Sequence, residues 1–98
     1  MRVIYHPDAE RELVEAAAFY ERRASSLGGA FLEAVDRAIS GISKTPGRWR
    51  ITETDIRRCP MRRFPYAIYY RALEDHVRIL AFKHHKRHPN YWRYRIAQ

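Results

Sequence analysis

YAIYYRALEDHVRILAFKH, residues 66–84, is the stretch whose reading decides the fold. Tyr, Ile, Val, Leu and Phe fill both of its halves, the aromatic and branched types that suit a pleated, buried surface. Glu74-Asp75-His76 interrupts them with a short polar connection. The pattern predicts two antiparallel strands, 66–73 and 77–84, joined as a hairpin. Apolar side chains fall on both faces of each strand, which places the pair centrally in a sheet with helices against one face.

Just upstream the period is still two. Residues 48–52 and 56–63 read as further strands separated by Glu53-Thr54-Asp55, and Pro60 marks the second as an edge or bulged strand. Before Pro46-Gly47 the period changes to that of a helix. Phe31, Val35, Ala38 and Ile42 recur at spacings of four, three and four, Leu32 and Ile39 widen the stripe, and the helix is expected to end near Lys44. Leu13, Ala17, Tyr20 and Ala24 trace an earlier helix, with Asp8 as the expected N-cap and Glu10 and Glu12 in its first turn. That helix fades at Ser25-Ser26, and Gly28-Gly29 reads as the tight link of an antiparallel helical hairpin. Arg2–Tyr5, closed by His6-Pro7, is a short strand at the start. The fold class is α+β: an N-terminal strand, a helical hairpin, then a three- to four-stranded antiparallel sheet, in one domain over residues 1–98.

Length and charge narrow the function. A chain of 98 residues buries roughly two-thirds of its unfolded surface, enough for one modest core. Its single cysteine, Cys59, forbids an intrachain disulfide. No apolar run approaches the roughly 18 residues that span a bilayer, and the N-terminus lacks a secretory pattern, so the expected location is cytoplasmic with no membrane partner. Residues 1–45 hold six Lys/Arg and seven Asp/Glu, a net of −1, whereas residues 46–98 hold thirteen and four, a net of +9. The two add to the chain's +8. Such asymmetry points to an anionic partner of the C-terminal half, against the plainer alternative of solvation alone.

Several chemistries have no motif here: there is no Gly-rich phosphate loop, HExxH, GxSxG or Cys/His pair at zinc spacing. No metal and no cofactor are expected. His84, His85 and His88 have no neighbouring carboxylate to complete a metal site, and Cys59 has no activating constellation. Arg57, Arg58, Arg62 and Arg63 are either a binding strand or the charge that blunts a sheet edge. In the tail, His84, Lys86, Arg87, Arg93 and Arg95 interleave with His85, His88, Tyr91, Trp92 and Tyr94, cations for phosphates or carboxylates beside rings on which bases stack. Packing onto the sheet is the more economical use of Trp92, given the area of an indole. Metal-free RNA cleavage needs a base for the 2′-hydroxyl, cations for the phosphate and an acid for the leaving oxygen; His85, Arg58, Arg62, Arg87 and Tyr91 are of the right types. Neighbouring arginines are expected to depress the pKa of a tyrosine or lysine used this way.

At these residues the chain resembles the RelE/ParE superfamily of toxins from type II toxin–antitoxin modules. The likeness runs from His6-Pro7-Asp8-Ala9-Glu10 through Phe31-Leu32-Glu33, Arg63-Phe64-Pro65-Tyr66-Ala67-Ile68-Tyr69-Tyr70 and Ile79-Leu80-Ala81-Phe82 to the tail pattern H-x-x-R-x-P-x-Y-W-x-x-R over 84–95. It implies a growth inhibitor silenced by a cognate antitoxin. Two branches differ in target: one cleaves mRNA on the ribosome, the other inhibits DNA gyrase without nuclease residues. Set against the nuclease branch, Arg58 stands where a lysine is expected and Tyr91 at its C-terminal tyrosine. His85 and Ala67 stand where arginines are expected. A missing cation of that kind costs about 10²-fold or more in rate. The resemblance therefore leads to a gyrase inhibitor as first expectation. The alternative is a ribosome-dependent endoribonuclease using His85, Tyr91 and Arg58, and a further one an inactive relative that binds antitoxin. In either active form Arg58, Arg62, His84, Lys86, Arg87, Tyr91, Arg93 and Arg95 are the expected contacts to target or nucleic acid.

Overall fold

The computed structural model describes residues 1–98. Its elements are β1 (Arg2–Tyr5), α1 (Pro7–Arg23), α2 (Leu27–Lys44), β2 (Arg50–Glu53), β3 (Ile56–Pro60), β4 (Tyr66–Ala72), β5 (His76–His84) and a short 3₁₀ helix, η1 (Arg93–Ala97). All strands form one sheet in the order β1-β5-β4-β3-β2. The hairpin β4–β5 lies at its centre, as residues 66–84 predict, with Tyr66 opposite His84 and Ala72 opposite Val77. The sheet has one strand more than expected: β1 pairs in parallel with β5, Val3 opposite Val77 and Tyr5 opposite Ile79. A pattern of alternation marks a strand but not its neighbour, so that pairing was not readable. Pro60 ends β3 beyond the last β2 partner, Arg58, where no neighbour on that side asks for an N–H.

The helical hairpin is built differently at both of its turns from the sequence expectation. His6, not Asp8, is the N-cap of α1: its backbone is extended, and its Nδ1 accepts the Asp8 N–H at 3.0 Å. The ring hydrogen is then on Nε2, which donates to Gln98 Oε1 at 2.7 Å. Pro7 opens the helix, where its missing N–H costs nothing. The link between helices is residues 24–26, with Ser26 in the left-handed region at φ 72°. Gly28 and Gly29 belong to the first turn of α2. Glu21 Oε2 and Oε1 accept the Ser26 and Gly28 N–H groups at 3.0 and 2.9 Å, so a carboxylate from α1 caps α2.

The core lies between this hairpin and one face of the sheet. Phe31, Val35 and Ile42 from α2 and Ala9 and Ala16 from α1 meet Ile68, Tyr70, Val77, Ile79 and Phe82. Tyr20, Phe31 and Phe64 pack ring on ring with centroids 4.9–5.2 Å apart. Leu32, expected to widen the buried stripe, is exposed. The other face of the sheet is covered by the tail. A bulge at Tyr69/Tyr70 leaves Leu80 without a β4 partner, between the paired residues Ile79 and Ala81. Leu80 and Ala81 then join Ile56 and Trp92 in a second apolar cluster. Trp92 is 1% exposed, lies 4.8 Å from the Tyr69 ring centroid and donates Nε1–H to the Pro89 carbonyl. Both faces of the central hairpin are thus buried, one by helices and one by the tail, with Trp92 at the centre and Tyr91 and Ile96 beside it.

Candidate functional site

The tail reaches its position through one carboxylate. β1 ends at Tyr5, so from Leu80 onward the outer edge of β5 has no strand beside it. Glu12 of α1 and Arg95 of η1 take that place. Glu12 Oε1 accepts the Phe82 N–H at 3.1 Å, and Arg95 Nη1 donates to the Leu80 carbonyl at 3.0 Å. The two side chains also pair with each other, Arg95 Nη1 to Glu12 Oε1 at 2.8 Å and Nη2 to Oε2 at 3.1 Å. Tyr91 donates its hydroxyl to Glu12 Oε2 at 2.5 Å, and Arg87 lies over the Tyr91 ring at 3.8 Å with Nη1 3.4 Å from the same oxygen. Glu12 and Arg95 are 8% and 2% exposed. At such depth neither charge is tolerable alone, and together they satisfy two backbone groups that would otherwise be orphaned.

This clasp changes what its members can do. Burial, then the hydrogen bond to Glu12 and its charge, push the Tyr91 phenol well above its ordinary range. The arginines on either side lower it, as expected from the sequence, but they are outweighed. A tyrosine that resists ionisation and already donates its proton to a carboxylate is a poor general base. Arg95, placed among the expected target contacts, is sealed inside the fold. Burial opposes its charge, and the bonds to Glu12 and Tyr94 more than offset that, so its pKa is raised. Arg93 remains exposed but is ion-paired with Glu53 at 2.7 Å.

The remaining expected residues do not form one patch with these. Arg58 sits half-buried on β3 between Arg50 and Tyr69 in register. Lys83, which the sequence reading passed over, follows Phe82 on β5 and is buried opposite Ala67, which itself pairs with Pro60. Burial first, then the Arg58 charge, lower the Lys83 pKa from 10.5. Arg58 and Lys83 therefore share one cationic end of the outer sheet face, able to hold an anion. The signal was a lysine inside the strongest apolar strand. His84 is half-buried; its Nδ1 accepts the Lys86 N–H, and its pKa is lowered by burial, then by His85, Lys86 and Lys83. His85 and Lys86 are exposed in the turn after β5, where the His85 N–H donates to the Pro65 carbonyl. Arg62 is exposed in residues 61–65, between β3 and β4. Glu12 was legible as a first-turn acid but not as a hub, although it lies between Ala9 and Ala16 on the buried stripe, an odd place for a carboxylate. Burial pushes the Cys59 thiol up to about 11, with Arg48 and Arg58 opposing, so it is protonated at neutral pH. No group of three or more His, Cys, Asp or Glu side chains is placed to hold a metal ion, and no helix is long and apolar enough to cross a membrane.

A helical hairpin on one face of an antiparallel sheet, a parallel N-terminal strand and a cationic tail folded over the other face define the toxin architecture of the RelE/ParE superfamily. The family model described as the ParE toxin of the type II toxin–antitoxin system, parDE, matches residues 3–89. The chain belongs to that family. Among solved structures, one described as the chromosomal ParDE toxin–antitoxin system from P. aeruginosa superposes with a TM-score of 0.63 at 17% identity, covering 86% of this chain and 95% of that one. At that identity the likeness is one of fold. No curated protein matches the chain.

Proposed function

We propose that this protein arrests growth by binding DNA gyrase in the cytoplasm, without catalysis, and is neutralised by a cognate antitoxin. Membership of the ParE family supports the toxin role. The observation that carries the choice of mechanism is the Glu12 clasp, which engages the hydroxyl of Tyr91 and both terminal nitrogens of Arg95 in holding the tail. A ribonuclease would need that tyrosine free or ionised and a pair of groups poised for proton transfer. Arg58 and Lys83 supply charge for binding.

The test adds the purified chain separately to a gyrase supercoiling reaction and to ribosomes programmed with message. Inhibited supercoiling with intact message is the expected result. Cleaved message with normal supercoiling overturns the proposal in favour of the ribonuclease. Absence of both effects, with no toxicity on expression, leaves an antitoxin-binding relative.

A further inference from the structure

On the helical side of β3, away from the clasp, a cleft of about 550 Å³ opens between the middle of α2 and residues 59–63. Sites for small molecules span roughly 300–1,000 Å³, so the hollow is of that size. Four arginines line it: Arg37 from α2, Arg48 from before β2, and Arg62 and Arg63 from the β3–β4 connection. All four residues are exposed, and none has a guanidinium within 4.0 Å of a carboxylate of this chain. The lining includes no Asp or Glu. Four unpaired cations around one hollow repel one another and are stabilised by an incoming anion.

The rest of the cleft suits one flat ring. Trp49 forms a wall, set close against α2 where Gly41 leaves room for it: a Cβ there would stand 3.2 Å from the indole. The Arg48 guanidinium lies over the same indole, 4.9 Å from its centroid. Indole and guanidinium are both planar groups on which a nucleobase stacks. Ala38 and Met61 add apolar lining, and a thioether makes favourable contacts at the edge of a ring. A nucleic-acid strand needs a series of aromatic faces, whereas the cleft has a single aromatic ring. An orthophosphate or a lone carboxylate carries too few oxygens to engage arginines drawn from three separate stretches of chain.

We propose that this cleft binds a purine nucleoside polyphosphate, with the base against Trp49 and Arg48 and the phosphate chain held by Arg37, Arg62 and Arg63. Guanidinium forks take phosphate oxygens two at a time, and a chain of phosphates presents its charges in series. A purine covers more of the indole and of the apolar lining than a pyrimidine does. Cys59 and Met61 face the helices, whereas Arg58 and Lys83 lie on the outer face of the sheet, so the site is separate from that cationic end. The cleft owes nothing to the choice between gyrase and the ribosome.

The probes are ATP and GTP, titrated separately into the full chain, with inorganic tripolyphosphate, adenosine, single-stranded oligo(dT) and polyglutamate run in parallel. The amide shifts of Ala34, Ala38 and Gly41 and the melting temperature are the readouts, since a ligand of the folded state raises the latter. At least one of the two nucleotides is expected to bind, tripolyphosphate about tenfold more weakly because it lacks the stacked base, and adenosine not measurably. Arg37→Ala with Arg62→Ala is expected to weaken the nucleotide by about tenfold or more. Trp49→Leu is expected to bring it down to the affinity of tripolyphosphate, whose own binding stays unchanged. Arg22→Ala with Arg23→Ala, at the end of α1, is expected to alter nothing. The proposal fails if neither nucleotide binds, if tripolyphosphate binds as well as they do, or if oligo(dT) or polyglutamate is preferred through the same arginines. An equal loss in Arg58→Ala would put the nucleotide on the outer face and overturn it as well. Should Trp49→Leu not fold, the arginine variants and the tripolyphosphate comparison still decide. None of these measurements needs toxicity or a macromolecular target, so the nucleotide site and the toxin reading stand or fall separately.

Discussion

Glu12 receives bonds from the Phe82 backbone, the Tyr91 hydroxyl and the Arg95 guanidinium, and no other side chain in the molecule joins so many elements. Glu12→Ala leaves Arg95 buried and uncompensated, and a loss of about 3–5 kcal/mol in unfolding free energy is expected by urea denaturation. Replacing Glu12 and Arg95 together by Leu and Met is expected to cost less than Glu12→Ala alone, because no orphaned charge remains. A larger loss for the pair would show that bridging the β5 edge matters more than charge balance. A second carboxylate gives a pH signature. The Tyr94 hydroxyl donates to Asp8, and this bond, aided by Arg11 at 2.8 Å and by Arg95, holds the Asp8 carboxyl below its ordinary 3.8. A carboxyl whose folded pKa is depressed contributes stability that is complete above the unfolded value and lost as pH falls through the folded one. That window lies below about pH 3.8. In Tyr94→Phe, the Asp8 midpoint followed by NMR is expected to rise toward 3.8, with a flatter acid limb of stability. An unmoved midpoint would assign the depression to the arginines instead.

At the scale of elements, two adjacent glycines in α2 separate packing from propensity. A Cβ at position 28 would stand 2.6 Å from the Ala17 carbonyl oxygen and 2.9 Å from Glu21 Cβ, so the helices touch there through backbone. Gly28→Ala is expected to destabilise by about 1–3 kcal/mol, since a backbone neighbour cannot step aside. A Cβ at Gly29 meets nothing within 4 Å, and Gly29→Ala is expected to be neutral or to stabilise by up to about 1 kcal/mol. Thermal unfolding of the two single variants checks both, and similar melting points would refute the close contact. The same residues show how far sequence reading reaches. Both helices, their apolar stripes and the 66–84 hairpin followed from local periodicity, because helix and strand periods are written along the chain. The N-cap and the inter-helix link were displaced because they depend on side chains from elsewhere: Gln98 steadies His6, and Glu21 caps α2.

For the molecule as a whole, the tail decides how many layers there are. Without Trp92 the outer face of the sheet exposes Ile56, Leu80 and Ala81. Trp92→Ala is expected to cost about 3–5 kcal/mol and to raise binding of a hydrophobic dye such as ANS, measured at a temperature where the variant is still folded. An unchanged dye signal would mean that other tail residues cover that face. The charge separation also has a spatial form only at this scale. The cations of residues 46–98 include a structural set spent on Glu12, Glu53 and Asp55, an outer-face pair of Arg58 and Lys83, and an exposed set without ion-pair partners to which Arg48, Arg62 and Arg63 belong.

What the amino-acid order settled alone was the class of fold, the ordered likeness to a toxin superfamily and the sign of the C-terminal half, all of them carried by local pattern or by counting. Which cations are free was settled only by folding. Arg95 and Arg62 look alike in the chain, yet one lies against a carboxylate 83 residues away and the other faces solvent between β3 and β4. The reason is that a charge's availability depends on its partner and its burial, and both are set by contacts between residues far apart in sequence.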